Sequence, residues 1–258
     1  MQAQILVIAN QKGGVGKTTT ALNLGVALAR QAGPVLLVDI DPQSSLTLTL
    51  GIDAEHNNMA DVLGVTERGT GDVSGIIQPV GAGIDLAPSD ILLSRTELGL
   101  VVRPARELQL ARALAPVRDR YAWIVIDAPP SLSMLVINAL IAAQWVIIPT
   151  QLDALALRGL GLFVETLQET RADYGQGAAL LGVLATMADL RPVHARDVLT
   201  VLQKREELRL FDTTIPRTIR FSEASLSKQA LADYEPDHAG AAAYATLAQE
   251  VIARAHQT

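Results

Sequence analysis

Gln11-Lys12-Gly13-Gly14-Val15-Gly16-Lys17-Thr18-Thr19 is the stretch that decides how this chain is read. An apolar run, Ile5-Leu6-Val7-Ile8-Ala9, leads directly into it, and a helix-like segment, 20–30, follows. Strand, glycine-rich loop and helix in that order are what a phosphate-cradling P-loop requires. Small residues let successive backbone N–H groups, those of Gly13, Gly14, Val15 and Gly16, converge on a phosphate. The helix N-terminus at Thr18-Thr19 adds positive potential at the same place. Lys17 can then reach β- and γ-phosphates, and the Thr18 hydroxyl can ligate Mg²⁺. The run departs from the common GxxxxGK[ST] pattern, with Gln11 where glycine is usual and a second lysine, Lys12, near the start of the loop.

Bulk properties bound the rest. A chain of 258 residues is long enough to bury one large core, and a single domain over residues 1–258 is expected. There are no cysteines, which excludes disulfides, iron–sulfur clusters and thiolate zinc sites. The chain enters its first strand at once, so no secretory leader is expected, and no apolar run approaches the roughly 20 residues that span a bilayer. A cytoplasmic location is the expectation. The net charge is −6, against a protein that coats nucleic acid with its whole surface. Between Arg191 and Lys228, however, eight basic residues (Arg191, Arg196, Lys204, Arg205, Arg209, Arg217, Arg220, Lys228) stand against five acidic ones (Asp197, Glu206, Glu207, Asp212, Glu223). That local excess is either a footprint for DNA phosphates or a solvated helix surface.

Apolar β-rich runs alternate with helical patterns along the chain, the signature of a mostly parallel twisted sheet with helices on both faces. Strands are predicted at 5–9, 35–39, 84–88, 123–127, 145–149 and 180–186, with another near 211–215. Helices are predicted at 17–31, about 103–119, 132–143, 157–172, 194–208, 222–231 and 239–255. The stretch 53–83, rich in Gly, Asp and Thr, reads as loops around a short helix. In such sheets ligands collect beyond the carboxyl ends of the strands. Asp39-Ile40-Asp41 and Asp127 close two of the apolar strands, so all three carboxylates should face the ligand of the loop. A carboxylate at the end of an apolar strand is costly unless a cation or donors meet it. Asp127 therefore reads as a Walker B aspartate holding Mg²⁺ directly or through water, and Asp39 and Asp41 either face the ligand or cap the turn before Pro42.

The extra lysine in KGGVGKTT, with Val35-Leu-Leu-Val-Asp39-Ile-Asp41-Pro-Gln43, Ile124-Val-Ile-Asp127-Ala-Pro-Pro130 and Ile215-Pro-Arg217-Thr-Ile-Arg220-Phe-Ser-Glu223-Ala, resembles the deviant Walker A ATPases of the ParA/MinD group. These markers run from residue 5 to about residue 240. The resemblance implies ATP with Mg²⁺ as cofactor, Asp41 as the residue that orients the attacking water, and Asp39 nearer the Mg²⁺ shell. It implies that Lys12 reaches across a nucleotide-sandwich homodimer to the partner's phosphates, so Lys12, Lys17 and Asp41 form the catalytic set. It places the Met187-Ala-Asp189 turn and the Pro216-Arg217 segment near adenine, although Pro216 and Arg217 are equally open to a structural or DNA-contacting role. Asn10 either touches the phosphates or steadies the turn.

Two departures stand out: Pro42-Gln43-Ser44-Ser45 in place of PQGN, and Ser225-Leu226-Ser227-Lys228-Gln229-Ala230 in place of P-S-x-G-x-P. Without cysteines the iron-protein branches of the fold drop out. Without a tyrosine-rich C-terminus the kinase branch does too, and without a basic amphipathic terminal helix no membrane contact is expected. What the resemblance leaves is a ParA-type ATPase, slow and stimulated by a ParB-like or cargo-adaptor protein, that binds nucleoid DNA nonspecifically and partitions a chromosome, plasmid or protein complex. Arg191, Arg196, Lys204, Arg205, Arg217 and Arg220 are its candidate DNA contacts. The alternatives are a MinD-like membrane-cycling ATPase and a nucleotide switch that never touches DNA.

Overall fold

The computed structural model describes residues 2–64, 71–81 and 83–257. Its frame is a seven-stranded sheet of β1 (Gln4–Ile8), β2 (Val35–Asp39), β3 (Gln78–Gly81), β4 (Ile84–Ala87), β5 (Trp123–Asp127), β6 (Trp145–Gln151) and β7 (Ala179–Thr186). The order is β3-β4-β2-β5-β1-β6-β7. Every pairing is parallel except β3 with β4. The central strands β1, β2 and β5 are apolar except at their ends because both faces of a parallel sheet are covered, and alternate residues serve opposite faces. Ile5, Val7, Leu36, Val38, Ile124 and Ile126 point into one core. Leu6, Ile8, Leu37, Val125, Trp123 and Trp145 point into the other.

The second core is closed by α1 (Lys17–Ala32) packed on α11 (Ala239–His256). Gly25 of α1 lies so close to β2 that a Cβ there would come within 2.5 Å of the Leu37 side chain. The first core is roofed by α3 (Met59–Leu63), α5 (Gln109–Leu114), α6 (Met134–Ala142), α7 (Ala154–Tyr174) and α8 (Val193–Gln203). Shorter helices complete the chain: α2 (Ser45–Thr49), α4 (Leu93–Leu100), α9 (Arg220–Leu226) and α10 (Leu231–Tyr234). Among the described residues no helix is long and apolar enough to cross a membrane. The apolar side of α11, including Tyr244, Leu247 and Val251, is buried in the second core.

Several expectations differ from what forms. Residues 211–215 do not make a strand. Phe211 and Ile215 donate to Val183 and Ala185 of β7 at 2.9 Å, but the intervening amides of Asp212 and Thr213 go to the Glu250 carboxylate at 3.1 and 2.9 Å. Arg254 takes the carbonyls of Arg209 and Leu210, so the ladder is interrupted from α11. The stretch 53–83 contains, besides α3, the antiparallel edge strand β3. Pro79 is tolerated there because an edge strand needs no second ladder. Residues 65–70 and 82 of that stretch lie outside the described residues. The helix expected at 103–119 breaks into a 3₁₀ turn at Arg106–Leu108, α5, and a second 3₁₀ turn at Ala115–Val117 that carries Pro116. The helix expected at 222–231 ends at Leu226, after which Lys228 takes a left-handed φ of 58°.

Candidate functional site

The P-loop leaves β1 at Ile8 and is tied down from two neighbouring strands. Asn10 Nδ2 donates to the Pro149 carbonyl of β6 at 2.7 Å, and its Oδ1 accepts from Lys12 N at 3.0 Å. This is the turn-steadying role. Thr186, at the end of β7, donates to the Val15 carbonyl at 2.8 Å, and Gln151, at the end of β6, donates to the Gly14 carbonyl at 3.0 Å. Those contacts occupy loop carbonyls, while the first amides of α1 have no intrahelical acceptor and suit an anion. Gly16, with φ 84°, takes the left-handed turn that launches α1.

A cavity of about 450 Å³ opens over the loop, lined by Gly13, Gly14, Gly16, Lys17, Thr18, Thr19, Asp41 and Gln43 among others. Lys17 is buried, and its ammonium donates to the Lys12 carbonyl at 3.1 Å. Burial pulls its pKa down while the Asp127 and Asp41 charges hold it up. Asp41 is nearly covered, accepting from Gln43 N at 2.9 Å. A second cavity of about 170 Å³ adjoins at Gly16, Thr19 and Met187, walled by Thr186, Ile215, Pro216, Arg217, Thr218, Phe221, Ser222 and Tyr244. Its mixture of apolar walls and a few polar groups suits a flat heterocycle beside the phosphates. Thr49, on the wall of the larger cavity, shares a hydrogen bond of 3.0 Å with the Ser225 hydroxyl that ties α2 to α9.

Asp39 and Asp127 end adjacent strands in direct register, and they are treated differently. Asp39 Oδ1 accepts from Asp41 N at 3.1 Å, and Oδ2 accepts from the Thr47 amide at 2.9 Å and the Thr47 hydroxyl at 2.7 Å. Burial pushes its pKa up to about 6, against the pull of those donors. Asp127 is also fully buried, yet neither of its oxygens has a hydrogen-bond partner. The Thr18 hydroxyl stands near enough to favour its ionised form without meeting hydrogen-bond geometry. Burial, and then the neighbouring Asp39, raise the Asp127 carboxyl well above the ordinary range. An orphaned carboxylate beside Thr18 and Lys17 is a site a divalent cation fits. Asp39, with protein donors on both oxygens, steadies the turn that follows β2.

Lys12 is half-exposed at the rim, its Nζ 2.6 Å from Asp153 and 3.4 Å from Gln151 Oε1. The six candidate DNA contacts come from different parts of the fold. Arg191 and Arg196 lie at the start of α8, whereas Lys204 and Arg205 lie beyond its end, about 16 Å along the axis. Arg191 is clamped by Asp189 at 2.7 and 2.8 Å. Arg220 is matched by Glu223 at 2.7 Å and Glu235 at 3.3 Å, so its charge is largely spent locally. Arg217 is exposed at the wall of the smaller cavity. Sequence reasoning missed Gln151, Asp153 and Thr186. Their position at or just past the ends of β6 and β7 was the available signal, since strand ends gather ligands.

Residues 3–177 match the family described as an AAA domain. The chain is 40% identical to the sporulation initiation inhibitor protein Soj of Bacillus subtilis, over 97% of this chain and 98% of that one. It is 40% identical to the chromosome-partitioning ATPase Soj of Thermus thermophilus, over 98% and 96% of the two chains. The chain belongs to the ParA-type P-loop ATPases. Among solved structures, this ParA-type ATPase resembles cobyrinic acid a,c-diamide synthase from Mycobacterium smegmatis with bound ATP analog and magnesium. That pair shares 38% identity over 96% of this chain and 93% of the other, with a TM-score of 0.81. As a member of the group the ParA-type ATPase is an ATP hydrolase.

Proposed function

We propose that the chain is a slow, partner-stimulated ATPase that pairs across its nucleotide face, binds DNA without sequence preference, and partitions or positions a cargo. The observation that carries this reading is the placement of two lysines on one loop. Lys17 is buried beside Asp41 and Asp127, while Lys12 sits at the rim, where a second protomer's phosphates can reach it. Lys17, the loop amides and Thr18 would hold the triphosphate, with Thr18 and Asp127 as the Mg²⁺ ligands. When bound, Mg²⁺ neutralises charge on the β- and γ-phosphates. Asp41 aligns a water and accepts its proton as attack proceeds, and Lys12 delivered in trans offsets charge on the leaving phosphates. Pro216, Arg217 and Met187 would flank the base.

DNA binding follows from doubling a weak surface. One protomer offers few unmatched cations, and affinity climbs steeply with the number of phosphates neutralised. A ParB-like or adaptor protein would accelerate turnover, and nucleoid DNA would be the track.

Light scattering and DNA co-sedimentation of the full chain, each with ATP and with ADP, test the reading. A dimer and a DNA-bound fraction that both require ATP are expected. A DNA-bound fraction equal in ADP would overturn the switch, and sedimentation with anionic vesicles but not with DNA would favour a membrane-cycling relative.

A further inference from the structure

We infer that Thr47 and Ser89 are positioning residues for Asp41, which they fix through a closed ring of buried hydrogen bonds. The inference rests on the reading of Asp41 as the residue that orients the attacking water. Asp41 lies past the end of β2, in a stretch without helix or strand, so the sheet alone does not fix its side chain. The ring supplies what the sheet does not. The Asp41 amide donates to Asp39 Oδ1 at 3.1 Å, and Asp39 Oδ2 accepts the Thr47 hydroxyl at 2.7 Å. The same Thr47 oxygen accepts from the Ser89 amide at 2.9 Å, and the Ser89 hydroxyl donates back to the Asp41 carbonyl at 2.9 Å. The peptide groups on both sides of the Asp41 Cα are thereby held.

Thr47 and Ser89 are each 1% exposed and Asp39 is fully covered, so water does not compete for these bonds. A hydroxyl that donates once and accepts once is used at both of its functions in Thr47. The ring crosses three elements: the end of β2, the short helix α2 and the exit of β4, where Ser89 sits. That exit is itself pinned, since Met59 at the start of α3 donates to the Pro88 carbonyl at 2.8 Å. A helix cap would need only Thr47 and Asp39. The Ser89 hydroxyl serves no helix, and its acceptor is Asp41. Displacing a positioning group by about 1 Å can cost as much as 10²-fold in rate, so an untethered Asp41 should turn over slowly while the nucleotide still binds.

The test is ATP turnover at saturating Mg-ATP beside the Kd for a fluorescent ATP analogue. Ser89→Ala and Thr47→Val are expected to lower kcat roughly tenfold with Kd within about twofold of wild type, and Thr47→Ser, which keeps the hydroxyl, to restore turnover. In an Asp41→Ala background Ser89→Ala should cause no further loss. An unchanged kcat in Ser89→Ala, a loss that appears in Kd instead, or an equal further loss in the Asp41→Ala background would each overturn the inference. Ser89→Ala removes one oxygen and carries the test should Thr47→Val fail to fold. Wild-type turnover in Asp41→Ala alone would instead bring down the role of Asp41 itself.

Discussion

Asp39 and Asp127 stand opposite each other across the β2–β5 pairing, but protein donors meet only Asp39. A buried carboxylate without donors destabilises the chain that carries it until a cation arrives. Asp127→Asn should therefore stabilise the nucleotide-free chain, by on the order of 1 kcal/mol, while abolishing Mg²⁺-dependent turnover. Thermal unfolding without nucleotide checks this, and a lower Tm for the variant would contradict it.

The same pair sets a pH dependence. The folded pKa of Asp39 is about 6 against an ordinary 3.8, and Asp127 is raised as well. A raised carboxyl pKa means the folded state binds protons more tightly than the unfolded one, so stability falls as pH rises between the two values. Free of nucleotide and metal, the wild type should lose stability from about pH 4 upward through pH 6 and beyond. Asp127→Asn should show a shallower fall, measured as chemical denaturation at a series of pH values. Identical slopes would rule the pair out as the source.

The two lysines of the loop should separate cleanly. Lys17→Ala removes the buried ammonium from the phosphate cradle and should abolish nucleotide binding. Lys12→Ala leaves the cradle intact and should bind ATP as a monomer. An ATP-bound Lys12→Ala dimer of normal stability, seen by light scattering, would defeat the assignment in trans.

Asp41→Ala should keep ATP binding and ATP-dependent pairing yet lose turnover by at least about 10²-fold, the usual scale for a proton-accepting carboxylate. Trapping of a stable ATP-bound dimer in that variant, followed by sizing, is the measurement. A variant that hydrolyses at the wild-type rate would show that water is oriented by another group.

Ion pairing ranks the candidate DNA contacts. Lys204→Gln and Arg205→Gln should each lower the salt slope of ATP-dependent DNA binding by roughly one, alike for every sequence. Arg220→Gln should do less, because Glu223 and Glu235 already match that charge. Equal losses from all three would mean that the Arg220 pairs break on DNA.

Much of the frame could be read from the chain because its signals are local. The P-loop announces itself within nine consecutive residues, and Lys17, Thr18 and Asp41 line one cavity. Asp39 and Asp127 were placed by the rule of strand ends. What escaped the reading depends on partners far away in sequence. Lys12 meets Asp153 across 141 positions and Thr186 meets Val15 across 171, through the β1-β6-β7 order that no local pattern encodes. Residues 211–215 have strand-like composition, and only Glu250 and Arg254, a helix away, divert their backbone from the ladder. β3 was hidden by Pro79 and by glycine-rich surroundings that read as loop.

That diverted segment has a consequence for how copies of the chain meet. A terminal strand with free N–H and C=O groups invites a foreign strand to add to it. Along β7 the outer rim is occupied by Phe211 and Ile215, whose other amide neighbours are turned inward to α11, and at the opposite margin β3 is four residues long and interrupted by Pro79. Among the described residues neither margin offers a long open template for cross-strand aggregation. The ATP-dependent pairing proposed above would therefore meet little competition from sheet extension along these strands.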